Sequence, residues 1–334
     1  MILLKFPLFI KHMHSAFSMK ELESLFYFPE IAVHHIVLGL FLSQYKYASD
    51  ILAKAGMLNC KAYNSSMATK SSSSSETSVA FSQPSLYCSI VGALQYLTLT
   101  QPDLSYAVNC ACQFMHASTV THFNVVKQLL RYLQGTLSYG LVFTPGPLTL
   151  HAYSDSNWAG SVLDRKYTTG YCVFLGPNLI SWATKKQCTV SRSSTQAKYC
   201  TLAHTISELT WLRMLLREIH VPSISPPLLW CDNLSAISLA SNPVFHARSK
   251  LIDVDYHFIR DQVMAKQVVV KHVSSSDQVA DILTKPLPDA RFSFLQDKLM
   301  VRPSPICLRG PDEIHTKTDQ IKLIEHCNKG EEEV

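Results

Sequence analysis

Glycine is scarce, with 11 among 334 residues, which excludes a collagen-like or glycine-rich disordered chain. No CxxC pair occurs. The ten cysteines are scattered and only Cys110 and Cys112 lie close together, so a zinc site is not expected. Free thiols of this kind suit a reducing compartment, cytoplasmic or nuclear. No apolar run has the ~20 residues that a membrane-spanning helix needs. The opening MILLKFPLFIKHM is apolar, but Lys5 interrupts it and no small-residue cleavage site follows. It reads as the start of a buried strand or helix rather than a signal peptide. Charged residues are also sparse, at 16% against 47% hydrophobic, so apolar material suffices for two ordinary domains.

The charge that is present is uneven. From Pro311 to Val334 three lysines face seven acidic residues; with +5 for the whole chain, the remainder carries +9. A basic body suits an anionic partner such as nucleic acid, and equally an ordinary basic surface.

Along the chain, LFYFPEIAVHHI reads as strand, with His34 and His35 structural within it, and SQYKYASDILAKAGM reads as a helix ending near Gly56. NSSMATKSSSSSETS is serine-dense and aperiodic, a loop or linker. From Leu86 to Gly135 the pattern is helical. Ile90, Leu94 and Leu97 share one face, Val125, Leu129 and Tyr132 share another, and Pro102 separates the first two helices. YGLVFTPG reads as a short strand and turn. Three strands follow, in LTLHAYSD, TTGYCVFL and NLISWAT. Next comes a long helix whose stripe includes Leu202, Ile206, Leu209 and Leu212. Strand PPLLWCD, two helices, strand QVVVKHV and a helix at SDQVADILTK complete the order, which indicates a mixed α/β sheet flanked by helices. The tail after Gly310 shows no pattern and is expected to be disordered.

Asp155, Asp232 and Asp281 stand at strand ends or a helix start, where side chains can converge on one sheet edge. Phosphodiester hydrolysis needs an activated water and a stabilised leaving oxygen, which two magnesium ions ~4 Å apart can supply. Magnesium takes carboxylate oxygens, so converging aspartates suit that chemistry. Strand-end aspartates are also common as caps and turn residues, and spacing alone favours that simpler role. Trp158 and Trp182 could stack on bases, but beside strands they are expected in the core. Lys185, Lys186, Arg165 and Lys166 lie in or beside loops and could meet phosphates or simply solvent.

Longer motifs shift that balance. YSDSNWAG, RKYTTGYCVFLGPNLISWATKKQCTVSRSSTQAKY, LWCDNLSAI, DYHFIRD and HVSSSDQVADILTKPLP resemble the ribonuclease H domain of copia-type retrotransposon Pol polyproteins. Upstream, FSMKELESLFYF, GLFLSQYKYASDILAKAGM, IVGALQYLTLTQPDLSYAVN and LLRYLQGT resemble the end of the reverse transcriptase in the same polyprotein. The resemblance is collinear over about residues 6 to 310. It implies a partial palm at 1–62, a serine-rich linker at 63–80 and thumb- or connection-like helices at 81–146. A ribonuclease H domain at 147–300 and a tail at 301–334 follow. The implied fold is a ribonuclease H-like mixed five-stranded sheet with flanking helices, after a mostly helical reverse transcriptase remnant. The implied partner is an RNA–DNA hybrid, cut with two Mg2+ ions. Of the family's four carboxylates, Asp155, Asp232 and Asp281 carry over as metal-binding catalytic residues, and His272 matches a histidine that assists the leaving group or product release.

The fourth carboxylate does not carry over. Where the family has SSTEAEY this chain has SSTQAKY, so Gln196 replaces the first glutamate and Lys198 the catalytic one. Like unit charges 4 Å apart repel by roughly 4 kcal/mol at an intermediate dielectric. Lys198 is therefore expected to weaken magnesium binding, or to pair with Asp155 or Asp232 and neutralise the pocket without metal. Milder departures are Asn157 for Asp, Gln101 for Arg, and Pro29–Glu30 for Leu-Gly. No Tyr-x-Asp-Asp turn occurs, so DNA synthesis by this chain alone is not expected. Two function classes stay open: an impaired magnesium-dependent ribonuclease H, and a noncatalytic nucleic-acid-binding remnant. A genomic relic without a role is a third possibility.

Overall fold

Two five-stranded sheets organise the described residues, and segments distant in sequence build each of them. The computed structural model describes Ser15 and residues 27–37, 39–68, 79–160, 164–221, 225–241 and 253–305. The apolar opening, most of the serine-rich stretch and the acidic tail after residue 305 lie outside these residues.

The first sheet has the order β1 (Tyr27–Phe28), β2 (Ile31–Ile36), β3 (Gly39–Ser43), β4 (Tyr139–Phe143), β10 (Val301–Pro303), with every pairing antiparallel. LFYFPEIAVHHI is therefore a hairpin rather than one strand. It turns at Pro29–Glu30, where Glu30 adopts φ 58°. Proline cannot continue the ladder there and a left-handed residue closes the turn. This is the position at which the resembling family has glycine. The last strand, β10, comes from beyond the second sheet and closes the far edge of the first.

Helices α1 (Tyr45–Lys54), α2 (Pro84–Leu97), α3 (Ser105–Cys112) and α4 (Val120–Gly135) fill the intervening sequence. Pro84 starts α2 where no backbone N–H is needed. Thr119 and His122 form a capping box at the start of α4. The apolar faces of α2 and α4 bury Ile90, Leu94, Leu97, Leu129 and Tyr132, as their spacing predicts, while Val126 rather than Val125 lies deepest. Gln101, where the family has arginine, is buried and donates to Thr136 O (3.0 Å) at the end of α4.

The second sheet is mixed, in the order β7 (Asn178–Lys186), β6 (Thr168–Leu175), β5 (Leu150–Asn157), β8 (Leu228–Cys231), β9 (Val269–His272). The first three run antiparallel, and β8 and β9 join in parallel beside β5. Helix α5 (Ser194–Glu218) follows the edge strand β7, α6 (Leu234–Ser241) and α7 (Asp253–Met264) lie between β8 and β9 in sequence, and α8 (Asp289–Lys298) precedes β10. This is the ribonuclease H-like α/β arrangement expected from the resemblance.

Strand alternation divides the core. Val173, Leu150, Ala152 and Leu229 pack against the stripe of α5. Cys172, Phe174 and Leu179 pack instead into the cluster that holds α2, α3 and α4. Because successive strand side chains point to opposite faces, each sheet face has its own covering layer. One of those layers comes from the first half of the chain. The described residues up to Pro303 accordingly belong to one compact unit.

Candidate active site

The site begins at β5, which carries Asp155 in its second half opposite Gly170 of β6. Asp232 directly follows β8, which lies parallel to β5, so both carboxylates leave the same end of the sheet. Asp281 arrives differently. The segment expected as a helix is a short 3₁₀ helix, Val279–Leu283, with Asp281 at its centre. Gln278 anchors it by donating its amide to Ser154 O (3.1 Å). Gly170 makes room: a Cβ there would lie 2.6 Å from Thr284 Cγ2 and 2.9 Å from Leu283 Cβ. With that space open, Thr284 Oγ1 donates to Asp155 Oδ2 at 2.5 Å.

Lys198 enters from the first turns of α5. Ser193 caps that helix through the Gln196 N–H, and the Gln196 side chain accepts from Arg192 N (2.8 Å), so Gln196 serves the helix start. Two residues on, the Lys198 ammonium lies 2.9 Å from Asp155 Oδ1 and 2.5 Å from Asp232 Oδ1. Lys285 reaches the other oxygen of Asp155 (3.6 Å) and Asp281 Oδ1 (2.8 Å), while Arg291 donates to Asp281 Oδ2 (2.9 Å).

The electrostatics follow from these contacts. Burial pushes the Asp155 carboxyl up, but the Lys198 and Lys285 ammoniums and the Thr284 hydroxyl outweigh it and hold Asp155 below its ordinary value. Burial alone would lower the Lys198 ammonium. Asp155 and Asp232 overcome this and raise it, so it stays charged. Asp281 is raised, by burial and by the negative charge of Asp155, against the opposing pull of Lys285 and Arg291.

The three aspartates lie at one end of the second sheet, joined through Lys198 and Lys285, and Lys198 pairs with both Asp155 and Asp232. A divalent cation would have to enter between carboxylates that already hold ammonium or guanidinium groups. Among the described residues no three His, Cys, Asp or Glu side chains are arranged to hold a metal ion. The donor set present therefore does not fit a pair of magnesium ions.

Other candidates are placed less centrally. His272 ends β9 in register with Cys231, beside the Asp232 loop; its side chain is exposed and no described hydrogen bond or ion pair joins it to the carboxylates. Lys186 pairs with Asp164 (3.0 Å) and donates to Gln113 (2.9 Å), while Lys185 and Arg165 are exposed and Lys166 lies 3.9 Å from Asp164. Trp158 corrects the core assignment: it is 45% exposed, its indole N–H donating to Ser191 O (2.9 Å). It sits past the end of β5, where the sheet no longer covers it. Trp182 is partly buried against the helical cluster. Lys285, Arg291, Thr284 and Gln278 were not identified from the sequence. Only Lys285 left a signal, four residues after Asp281.

No family model matches the chain. It is 46% identical over 293 residues to the retrovirus-related Pol polyprotein from transposon RE2 of Arabidopsis thaliana, covering 87% of this chain and 20% of that protein. It thus spans about a fifth of the length of that relative. An uncharacterized mitochondrial protein of Arabidopsis thaliana is 50% identical over 203 residues, or 60% of this chain and 84% of that protein. Among solved structures, RNase H1 from the halophilic archaeon Halobacterium salinarum matches 41% of this chain and 94% of its own, at 14% identity and a TM-score of 0.30.

Proposed function

The chain belongs to the Pol polyproteins of copia-type retrotransposons, and from that premise we propose that its second half is a ribonuclease H domain of the kind that acts on RNA–DNA hybrids, silenced at its own carboxylate cluster. Asp155, Asp232 and Asp281 take the places of the metal-binding catalytic carboxylates, and His272 that of the histidine assisting departure of the product. One observation carries the proposal of silence: the Lys198 ammonium lies within 2.9 Å of Asp155 and 2.5 Å of Asp232. The two Mg2+ ions of the family mechanism have no free carboxylate pair to share, so no hydrolytic step is assigned to this site.

What remains is recognition. Lys185, near the end of β7, and Arg165, before β6, stay exposed, available to phosphates of a hybrid. The domain is thus a noncatalytic hybrid-binding element. The chain also holds no Tyr-x-Asp-Asp sequence for nucleotide addition.

The test is a magnesium titration of the full chain with a labelled RNA–DNA hybrid, following binding by anisotropy and cleavage on gels. Binding without cleavage is expected, with cleavage appearing in Lys198→Glu. Magnesium-dependent cleavage by the unaltered chain would overturn the proposal.

A further inference from the structure

Counting charges around Asp155 shows more than a lost ligand. The Asp155 carboxylate is 1% exposed and shared between two ammoniums, Lys198 on Oδ1 and Lys285 on Oδ2. Each ammonium also reaches a second carboxylate, Asp232 for Lys198 and Asp281 for Lys285. Arg291 occupies the remaining oxygen of Asp281. Three aspartates meet three cations, and the cluster closes electrically on itself.

Neutralising such a cluster favours packing of the sheet end. Unpaired buried carboxylates are among the costliest features that a fold can carry. In a site of this composition a bound divalent ion could provide the neutralisation, and folding stability would then rise with metal concentration. Here the protein carries the cation covalently. The Lys198 side chain is only 14% exposed, and its position on a capped helix turn holds the ammonium in place without an entropic penalty for capturing an ion.

We infer that Lys198 is a resident cation that takes over the structural work of a metal ion, making the fold of this domain independent of divalent metal. The inference deepens the function proposed above and rests on its assignment of Asp155, Asp232 and Asp281 to one cluster. It does not require that the domain bind or cut a hybrid. It assigns Lys198 a positive role in stability, which a merely disabling substitution would lack.

Thermal unfolding of the full chain tests it, in EDTA and in rising magnesium chloride at constant ionic strength. The unaltered chain is expected to melt at one temperature throughout. Lys198→Met, which keeps the stem and removes the charge, is expected to melt about 10 °C lower in EDTA. Magnesium should then raise that midpoint saturably. A midpoint of the unaltered chain that climbs with magnesium, or a variant as stable as the parent in EDTA, overturns the inference.

Should the variant fail to fold, the unaltered chain still decides. Amine acetylation read by mass spectrometry is expected at least about tenfold slower at Lys198 than at exposed Lys185, with and without magnesium. Equal rates, or protection that magnesium removes, overturn it. Magnesium-dependent cleavage alongside flat melting curves would refute the proposed silence while supporting the resident cation. The two ideas therefore fail separately.

Discussion

Two buried aspartates in this molecule meet opposite fates. Asp155 lies among Lys198, Lys285 and Thr284. Asp103, in the 3₁₀ turn Pro102–Leu104 before α3, is equally buried but has only neutral partners: the Tyr132 hydroxyl, which donates to it, and the Gln296 amide at 3.0 Å. Burial raises both carboxyls. Cations reverse that at Asp155, whereas at Asp103 neutral donors only moderate it, and burial carries the carboxyl to about 6. Between these two, partner charge rather than depth decides the direction of the shift. The two positions also do different work. The Asp155 cluster gathers β5, β8, α5 and the 3₁₀ segment around a charged centre. The Asp103 group ties the helices of the first half to α8, through Gln296, which also donates to Tyr132 (2.6 Å).

The sharpest way to break this contrast is to remove the acid from the charged cluster. Asp155→Ala removes the carboxylate that Lys198 and Lys285 share, leaving Lys198 with Asp232 alone, and is expected to cost about 3–5 kcal/mol in urea unfolding. Asp103→Asn should do the reverse. A folded-state value near 6, above the unfolded value of 3.8, means that the folded chain binds the proton more tightly. Asp103 therefore contributes stability that is full below pH 3.8, declines as pH rises and is gone above about 6. The amide removes that loss, so Asp103→Asn should gain up to about 3 kcal/mol at pH 7 and flatten the decline between pH 4 and 6. Asp155, lowered by its cations, has the opposite slope: its contribution is present above the unfolded carboxylate range and fades as acid titrates the folded group. Unfolding curves across pH for both variants would separate the two signs, and parallel slopes would dissolve the contrast.

A smaller effect sharpens the comparison by geometry. Gly170→Ala presses a methyl against Thr284 and Leu283 and should cost about 1–3 kcal/mol while weakening the Thr284–Asp155 hydrogen bond. Asp103 touches none of this, so its pH dependence should persist in the Gly170→Ala variant. The smallest expected change is at the β1–β2 turn. Glu30→Gly relieves a left-handed φ of 58° and should stabilise by no more than about 1 kcal/mol, measured by the same denaturation.

Local pattern made much of this fold legible. The stripes of α2, α4 and α5, the three antiparallel strands and the two later parallel ones all announce themselves by period, and the structure has them in that order. Other features depended on distant neighbours. The 3₁₀ form around Asp281 arises where Gln278 is pinned to Ser154 and Thr284 to Asp155, too tight for a continuous helix. Trp158 lies outside the core because the strand ends before it, which its aromatic character could not reveal. Gly170 mattered through space it leaves for a segment more than a hundred residues away.

The same division holds for the site. Sequence by itself determined the membership: the collinear motifs name the family, and Asp155, Asp232, Asp281 and Lys198 are fixed by their places in them. Tertiary structure decided the charge balance. Whether a lysine at that position swings to solvent or locks onto two carboxylates depends on where α5 meets β5 and β8, and Arg291 and Thr284 enter only because the chain folds back across the sheet end. Periodicity and motif are local properties of the chain. Neutralisation of a buried cluster is a sum over groups that only folding brings together.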